Sequence, residues 1–338
     1  MPMFLRAVRA ALVGSLVFLP AFTGWLVREC AVPSPGPGTS VFFEVEKGRS
    51  VRTVAAGLRD RGIIKSPLAL TLAYDLFYSR ERLKAGEYEL TFPASAKDFL
   101  FKMFRGRVYL HPLTVPEGLT GNEMAALLEA QGVEDSSAFR TAFRETARVA
   151  EWDDRARDLE GYLFPDTYLL PRKATVGDIV EAMTGQFQKV FNGGWQRRAA
   201  ELGLSVREAV ILASLIEKET AIPEERPLVS AVFHNRLRIG MKLDCDPTVI
   251  YGLKLEDKYS GRLLSRDLKF PSPYNTYIHA GLPPGPICNP GRLSLEAALY
   301  PAPDDYLYFV ARGDGSHTFS RTFAEHARAV EKYHLKKS

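Results

Sequence analysis

Cysteine is scarce in this chain of 338 residues. Cys30, Cys245 and Cys288 stand far apart, with no Cys-x-x-Cys among them. The six histidines show no His-Glu-x-x-His and no other ligand spacing. Zinc centres need such clusters, so no metal is expected. Cys245 and Cys288 are free to pair in an oxidising compartment, which spacing alone leaves open. The sequence also lacks a phosphate-binding loop, a Gly-x-Gly-x-x-Gly turn after a strand and a Gly-x-Ser-x-Gly elbow. Phosphoryl transfer, nicotinamide chemistry and serine hydrolysis are therefore without their usual parts. Charge of one sign is lacking as well. The net charge is +4 with no long basic run, which argues against nucleic acid as the main partner and leaves an anionic polymer open.

What is present suits a globular protein. A 46% hydrophobic fraction supports a sizeable core, and the length suggests about two domains. Arg6 and Arg9 precede Ala10–Val27, an uncharged stretch just long enough to span a bilayer. The basic residues ahead of it favour a cytoplasmic N-terminus. No small-x-small cleavage site follows Val27, where Arg28 and Glu29 come at once, so an uncleaved anchor is expected rather than a signal peptide. Residues 1–30 thus form the N-terminus and anchor, and residues 31–39, rich in Pro and Gly, a short semi-stiff linker.

Residues 40–115 read as a small α+β module. Val41–Val45 alternates like a strand, Ser50–Ile64 and Pro67–Tyr78 have helical spacing, Tyr88–Thr91 is a second strand, Ser95–Phe104 a helix and Val108–Val115 a strand. Residues 116–338 form the larger part. Helices are expected at Asn122–Gln131, Ser136–Ala147, Thr175–Phe191 (with an Asn192-Gly193-Gly194 stop), Val229–Arg238 and Ser294–Tyr300. Tyr306–Ala311 and His317–Ser320 form a hairpin, and Phe323–Tyr333 closes the chain as a helix. Leu159–Leu170 is aromatic-rich with two carboxylates, Glu160 and Asp166. Such stretches line sugar grooves, and they also make ordinary cores. Pro271–Pro290 is an ordered, non-repetitive loop whose Asn275, Thr276 and Tyr277 are suited to hydrogen-bonding a ligand.

Ser205–Thr220 is the informative helix. Ser205 and Glu208 make a capping box, and Pro223 limits the other end. At the helical period, Val206, Ala209, Val210, Leu212, Ala213 and Ile216 fill one apolar arc, with Glu208 and Glu219 outside it. Glu217 projects inside the arc's edge, between Val206 and Val210. Burying a carboxylate is costly. Desolvation there would raise its pKa and make it a general acid for glycosidic cleavage. The plainer alternative is a partly buried Glu tied to an Arg or to backbone amides. Glycosidic cleavage ordinarily uses two carboxylates. Glu219 points away from Glu217, and Asp166, Asp244 and Asp246 are possible partners at unknown distance. In a one-carboxylate route the same Glu protonates the leaving oxygen, then takes a proton from a hydroxyl of the substrate itself, closing a ring.

At this point a resemblance enters. The stretches Leu159–Tyr168 (Leu-Glu-Gly-Tyr-Leu-Phe-Pro-Asp-Thr-Tyr), Leu212–Thr220 (Leu-Ala-Ser-Leu-Ile-Glu-Lys-Glu-Thr), Val232–Gly240, Asp246–Gly252, Tyr274–Tyr277, Gly281–Gly285, Tyr306–Val310 and His317–Phe319 resemble, as an ordered set, the YceG-like family of endolytic murein transglycosylases. His234 departs from that pattern, and Cys245 and Cys288 lie outside it. The resemblance implies an α+β fold: an N-terminal transmembrane helix, a small LysM-like α+β module and a larger mixed α/β YceG-like catalytic domain. It places the family's catalytic Glu on Glu217, and it implies no metal or organic cofactor. The implied reaction cleaves between N-acetylmuramic acid and N-acetylglucosamine within nascent peptidoglycan strands, leaving 1,6-anhydro ends and helping to end elongation near the synthases. The catalytic part would then lie on the outer side of the cytoplasmic (inner) membrane, anchored by one span. Glu160, Asn235, Asp246, Thr248, Asn275, Thr276 and Tyr277 are the candidate groove residues. A peptidoglycan-binding scaffold without turnover and a muramidase that uses water are the alternatives.

Overall fold

Polar caps decide where most helices begin. Ser50, Ser66, Ser95, Thr120, Thr175, Asn192 and Ser205 each accept a hydrogen bond from a backbone amide of the first turn that follows. Each bond satisfies an amide that has no partner within its helix. The computed structural model describes residues 19–133 and 136–334. It is a mixed α+β protein whose described residues form three sheets of two strands each.

Two compact units emerge. The first runs to Pro112 and takes in Leu169–Lys173. Within it, β1 (Ser40–Val45), α2 (Val51–Asp60), α3 (Pro67–Ala73), β2 (Gly86–Thr91) and α4 (Ala96–Phe104) follow in order. The order β-α-α-β-α-β expected from the sequence is present, closed by β3 (Leu110–Thr114). β1 and β2 pair antiparallel, from Ser40 opposite Thr91 to Val45 opposite Gly86. Alternation turns Phe43 and Val45 inward onto Leu58, Leu70, Phe99 and Met103. A helix described over residues 19–31, α1, packs Leu26 and Cys30 against Ala69 and Ala73 of α3. Residues 10–18 of the expected membrane span lie outside the described residues, and among those described no helix is long and apolar enough to cross a membrane.

The second unit holds Leu113–Tyr168 and Ala174–Ser338. Its helices are α5 (Gly121–Ala130), α6 (Ser136–Phe143), α7 (Val176–Val190), α8 (Gly193–Glu201), α9 (Val206–Glu219), α10 (Arg226–Arg238), α11 (Asp246–Leu255), α12 (Arg292–Leu299) and α13 (Phe323–His334). β5 (Tyr308–Ala311) and β6 (His317–Ser320) form the expected hairpin. Several features differ from the sequence reading: α11 was not expected as a helix, and α6 stops at Phe143 rather than Ala147. Asn192 does not only end α7: its Oδ1 accepts from Gly194 N and Trp195 N and so starts α8. Thr167–Pro171, read as part of an aromatic stretch, is strand β4, partner of β3.

At the centre of this unit lies α9, packed by α8, α10, α11 and α12. The arc expected to be buried is buried, apart from half-buried Val206, and so are Ile211, Ser214 and Leu215. A helix surrounded by helices has no solvent face along its middle. Ser214, fully enclosed, donates from Oγ to Ile211 O at 2.7 Å and accepts from Ile287 N at 3.1 Å. Cys288 Sγ donates to Ser214 O. The Pro- and Gly-rich loop is therefore sewn onto α9.

Candidate active site

α9 ends at Thr220, which is extended. Thr220 Oγ1 accepts from Ile222 N at 3.1 Å, and this tight turn brings Arg226, the first residue of α10, back beside Glu217. The Glu217 side chain is 7% exposed, as is that of Arg226. Glu217 Oε1 accepts from Arg226 Nη2 at 3.3 Å, and Oε2 accepts from Gly291 N at 3.0 Å. The carboxylate is thus enclosed, as its helical phase predicts, and it has the Arg and backbone partners of the plainer alternative. Both oxygens face donors.

A second carboxylate stands beside it. Glu117 Oε2 lies 3.7 Å from Arg226 Nη2, the same nitrogen that Glu217 uses, and its side chain is 45% exposed. Burial and the charge of Glu217 raise the Glu117 pKa, against the pull of Arg226. Its turn is tied down. Gly118 N donates to Asn289 O at 2.9 Å, Lys218 Nζ donates to Gly118 O at 3.2 Å, and Gly118 takes a φ of +77° that favours glycine. Gly291 lets the two segments meet, since a Cβ there would fall 2.0 Å from Glu117. Three remote segments converge on Glu217: residues 117–118, Arg226 and Gly291.

Glu160 lies elsewhere. It is 4% exposed, and burial raises its pKa to about 8. Gly121 N donates to both of its oxygens at 3.1 Å, Tyr251 OH to Oε2 at 3.2 Å and Asn289 Nδ2 to Oε1 at 2.9 Å. It caps the start of α5 and anchors Asn289, whose Oδ1 accepts from Gly161 N and Leu163 N. A cavity of about 500 Å³ is lined by Glu160 with Arg140, Arg144, Arg157, Tyr251 and Lys254. Glu217 does not line it. Glu160 is thus held by the fold while it lines that cavity, whereas Glu217 sits between an exposed carboxylate and an incompletely bonded guanidinium.

The other candidates form two groups. Cys245, Asp246, Thr248, Thr276 and Tyr277 make one cluster at the start of α11. There Tyr277 OH donates to Asp246 Oδ1 at 2.6 Å, Cys245 N donates to Thr276 Oγ1 at 3.0 Å, and the hydroxyls of Thr248 and Thr276 meet at 3.0 Å. The other group consists of two pins. Asn235 Nδ2 donates to Asp304 O and Tyr306 O, and Asn275 Nδ2 to Leu268 O and Phe270 O. Half-buried Glu219 faces the first cluster, and burial raises its pKa to about 7, opposed by a hydrogen bond with Cys245. Cys245 and Cys288 are separate buried thiols. Sequence reasoning missed Glu117, Arg226, Asn289 and Gly291. For Glu117 the only signal was its Pro-Glu-Gly turn.

Fold and site together define a mixed α+β protein with a carboxylate–guanidinium centre at the end of a buried helix. The model of the YceG-like family matches residues 43–332, and the chain belongs to that family. It is 33% identical over 323 residues to the endolytic murein transglycosylase of Bacillus subtilis (strain 168), covering 87% of this chain and 85% of that protein. It is 29% identical to the endolytic murein transglycosylase of Streptococcus pneumoniae serotype 2 (strain D39), covering 96% of this chain and 65% of that one. A crystal structure of a yceG-like protein from Listeria monocytogenes superposes with a TM-score of 0.58 at 31% identity, over 86% of this chain and 99% of the other.

Proposed function

We propose that the chain is an enzyme, a peptidoglycan lytic transglycosylase that cuts within glycan strands and uses Glu217 as acid and then base. The observation that carries this is the Glu217 carboxylate, enclosed at the end of α9 between Arg226 and the Gly291 amide, in a family whose curated relatives bear the name endolytic murein transglycosylase. In the first half-reaction Glu217 gives its proton to the glycosidic oxygen as the bond from that oxygen to the muramic C1 breaks. In the second, the ionised carboxylate takes the proton of the same sugar's 6-hydroxyl as that oxygen closes onto C1. The bond broken and the bond formed balance without water, and the acid is regenerated.

Glu217→Gln keeps the shape and removes the acid. Purified variant and wild type would be incubated with glycan strands and the products weighed. Wild type should release ends one water lighter than reducing ends, and the variant should lose at least about 100-fold of that rate. A variant that releases anhydro ends at the normal rate sinks the assignment. Glu117 favours a second reading, a muramidase in which a second carboxylate activates water; reducing ends from the wild type would select it.

The same reading places the chain in the cytoplasmic membrane by one span at residues 10–27, with the second unit outside and peptidoglycan synthases as neighbours. Leu19 and Val27, exposed on α1, support the anchor. The antiparallel β1–β2 pair enclosing two helices supports a LysM-like reading of the first unit.

A further inference from the structure

In the arrangement described Glu217 Oε1 accepts from Arg226 and Oε2 from the Gly291 amide. A carboxyl oxygen can hold a proton and still accept a hydrogen bond, but a neutral carboxyl loses the charge that strengthens the bond from a guanidinium. Arg226 is therefore the donor that a proton on Glu217 releases. The Gly291 amide is fixed by the backbone at the start of α12, whereas Arg226 is a side chain.

We propose that Glu117 is a positioning residue that takes Arg226 off Glu217 while Glu217 carries the proton. The inference rests on the reading of Glu217 as acid and base, and three observations carry it. First, Glu117 and Glu217 approach the same atom, Arg226 Nη2, at 3.7 and 3.3 Å, so the transfer is a small shift of one side chain. Second, among the described residues no other group hydrogen-bonds the Arg226 side chain. Its Nε and Nη1 are buried and have no hydrogen-bond partner among the described residues, so movement breaks no other bond. Third, Glu117 is built into place by Gly118, Asn289 and Lys218 and by the missing Cβ of Gly291.

The charged groups around Glu117 among the described residues are Glu217 and Lys218 of α9 and Arg226 of α10. Lys218 donates to Gly118 O, so the two carboxylates compete for one guanidinium, and a proton on either leaves it to the other. With the proton on Glu217, Arg226 pairs with Glu117. When the proton goes to the leaving oxygen, Arg226 returns to Glu217 and stabilises the carboxylate that acts as base.

The test is the pH profile of kcat/KM on glycan strands for wild type, Glu117→Gln, Glu117→Asp and Glu217→Gln. In Glu117→Gln, Arg226 stays on Glu217, so the alkaline limb should move to lower pH by about one unit. Activity near pH 8 should then fall about tenfold while activity near pH 5 stays within about twofold of wild type. Glu117→Asp, which retains the charge, should recover part of the shift. A loss equal at every pH, or an unmoved limb, would overturn the proposal. An inactive Glu217→Gln alongside an unmoved Glu117→Gln limb removes this inference alone, whereas an active Glu217→Gln removes the reading beneath it.

Discussion

Glu160 shows at the scale of one residue how burial perturbs a carboxylate that the fold itself holds. Its pKa of about 8 against an ordinary 4.5 means that between those pH values the folded chain holds a proton that the unfolded chain has released. Stability from this residue is therefore present below pH 4.5 and is lost as pH rises to 8. Glu160→Gln cannot titrate, so the melting-temperature advantage of wild type over the variant should shrink between pH 5 and 8, by about 2–4 °C for each kcal/mol. Parallel curves would refute the assignment. Glu217 was legible because a helix has a period, and a charge inside an apolar arc is visible from sequence. Its partners were not, because Glu117, Arg226 and Gly291 reach it through tertiary packing that no local pattern records. The carbonyls that Asn235 and Asn275 each pin were hidden for the same reason.

At the scale of the element, the capping box of α9 was readable and present: Ser205 Oγ accepts from Glu208 N, and Glu208 accepts from Ser205 N. Ser205→Ala should cost about 1 kcal/mol, seen as a melting temperature lower by about 2–4 °C. It should leave turnover at 25 °C unchanged, because twelve residues of helix put Glu217 about 18 Å away. A large loss of turnover with an unchanged melt would contradict that picture. The phase argument put Glu219 outside the apolar arc, and it is half-buried there because α9 is packed by helices along its middle and its last turn meets Cys245. β4 was hidden because its sequence reads equally well as an aromatic core, and its pairing with β3 is a long-range event.

Across the whole molecule, the order of elements was largely legible, since caps, turns and periods are local. The path of the chain between the units was not. The first unit ends at Pro112 and then recovers Leu169–Lys173 from far along the chain. This strap delivers Arg172 Nη1 to Glu87 Oε1 at 2.8 Å and pairs Lys173 with Glu44. Glu87 is 8% exposed and, without Arg172, keeps among the described residues only His111 as an ion-pair partner, a loss of about 1–3 kcal/mol. A fragment of residues 32–112 should therefore melt several degrees below the same fragment carrying residues 169–173 on a short flexible linker. Equal melts would show that the strap adds nothing.

The three cysteines have one practical consequence. Cys30, Cys245 and Cys288 are all buried, and burial raises each thiol above its ordinary pKa. The folded chain is thus nearly silent to maleimide and other thiolate-seeking reagents. A single cysteine introduced at an exposed position would be the one reactive handle on the native protein, for attaching a fluorophore or spin label without first removing the natural thiols.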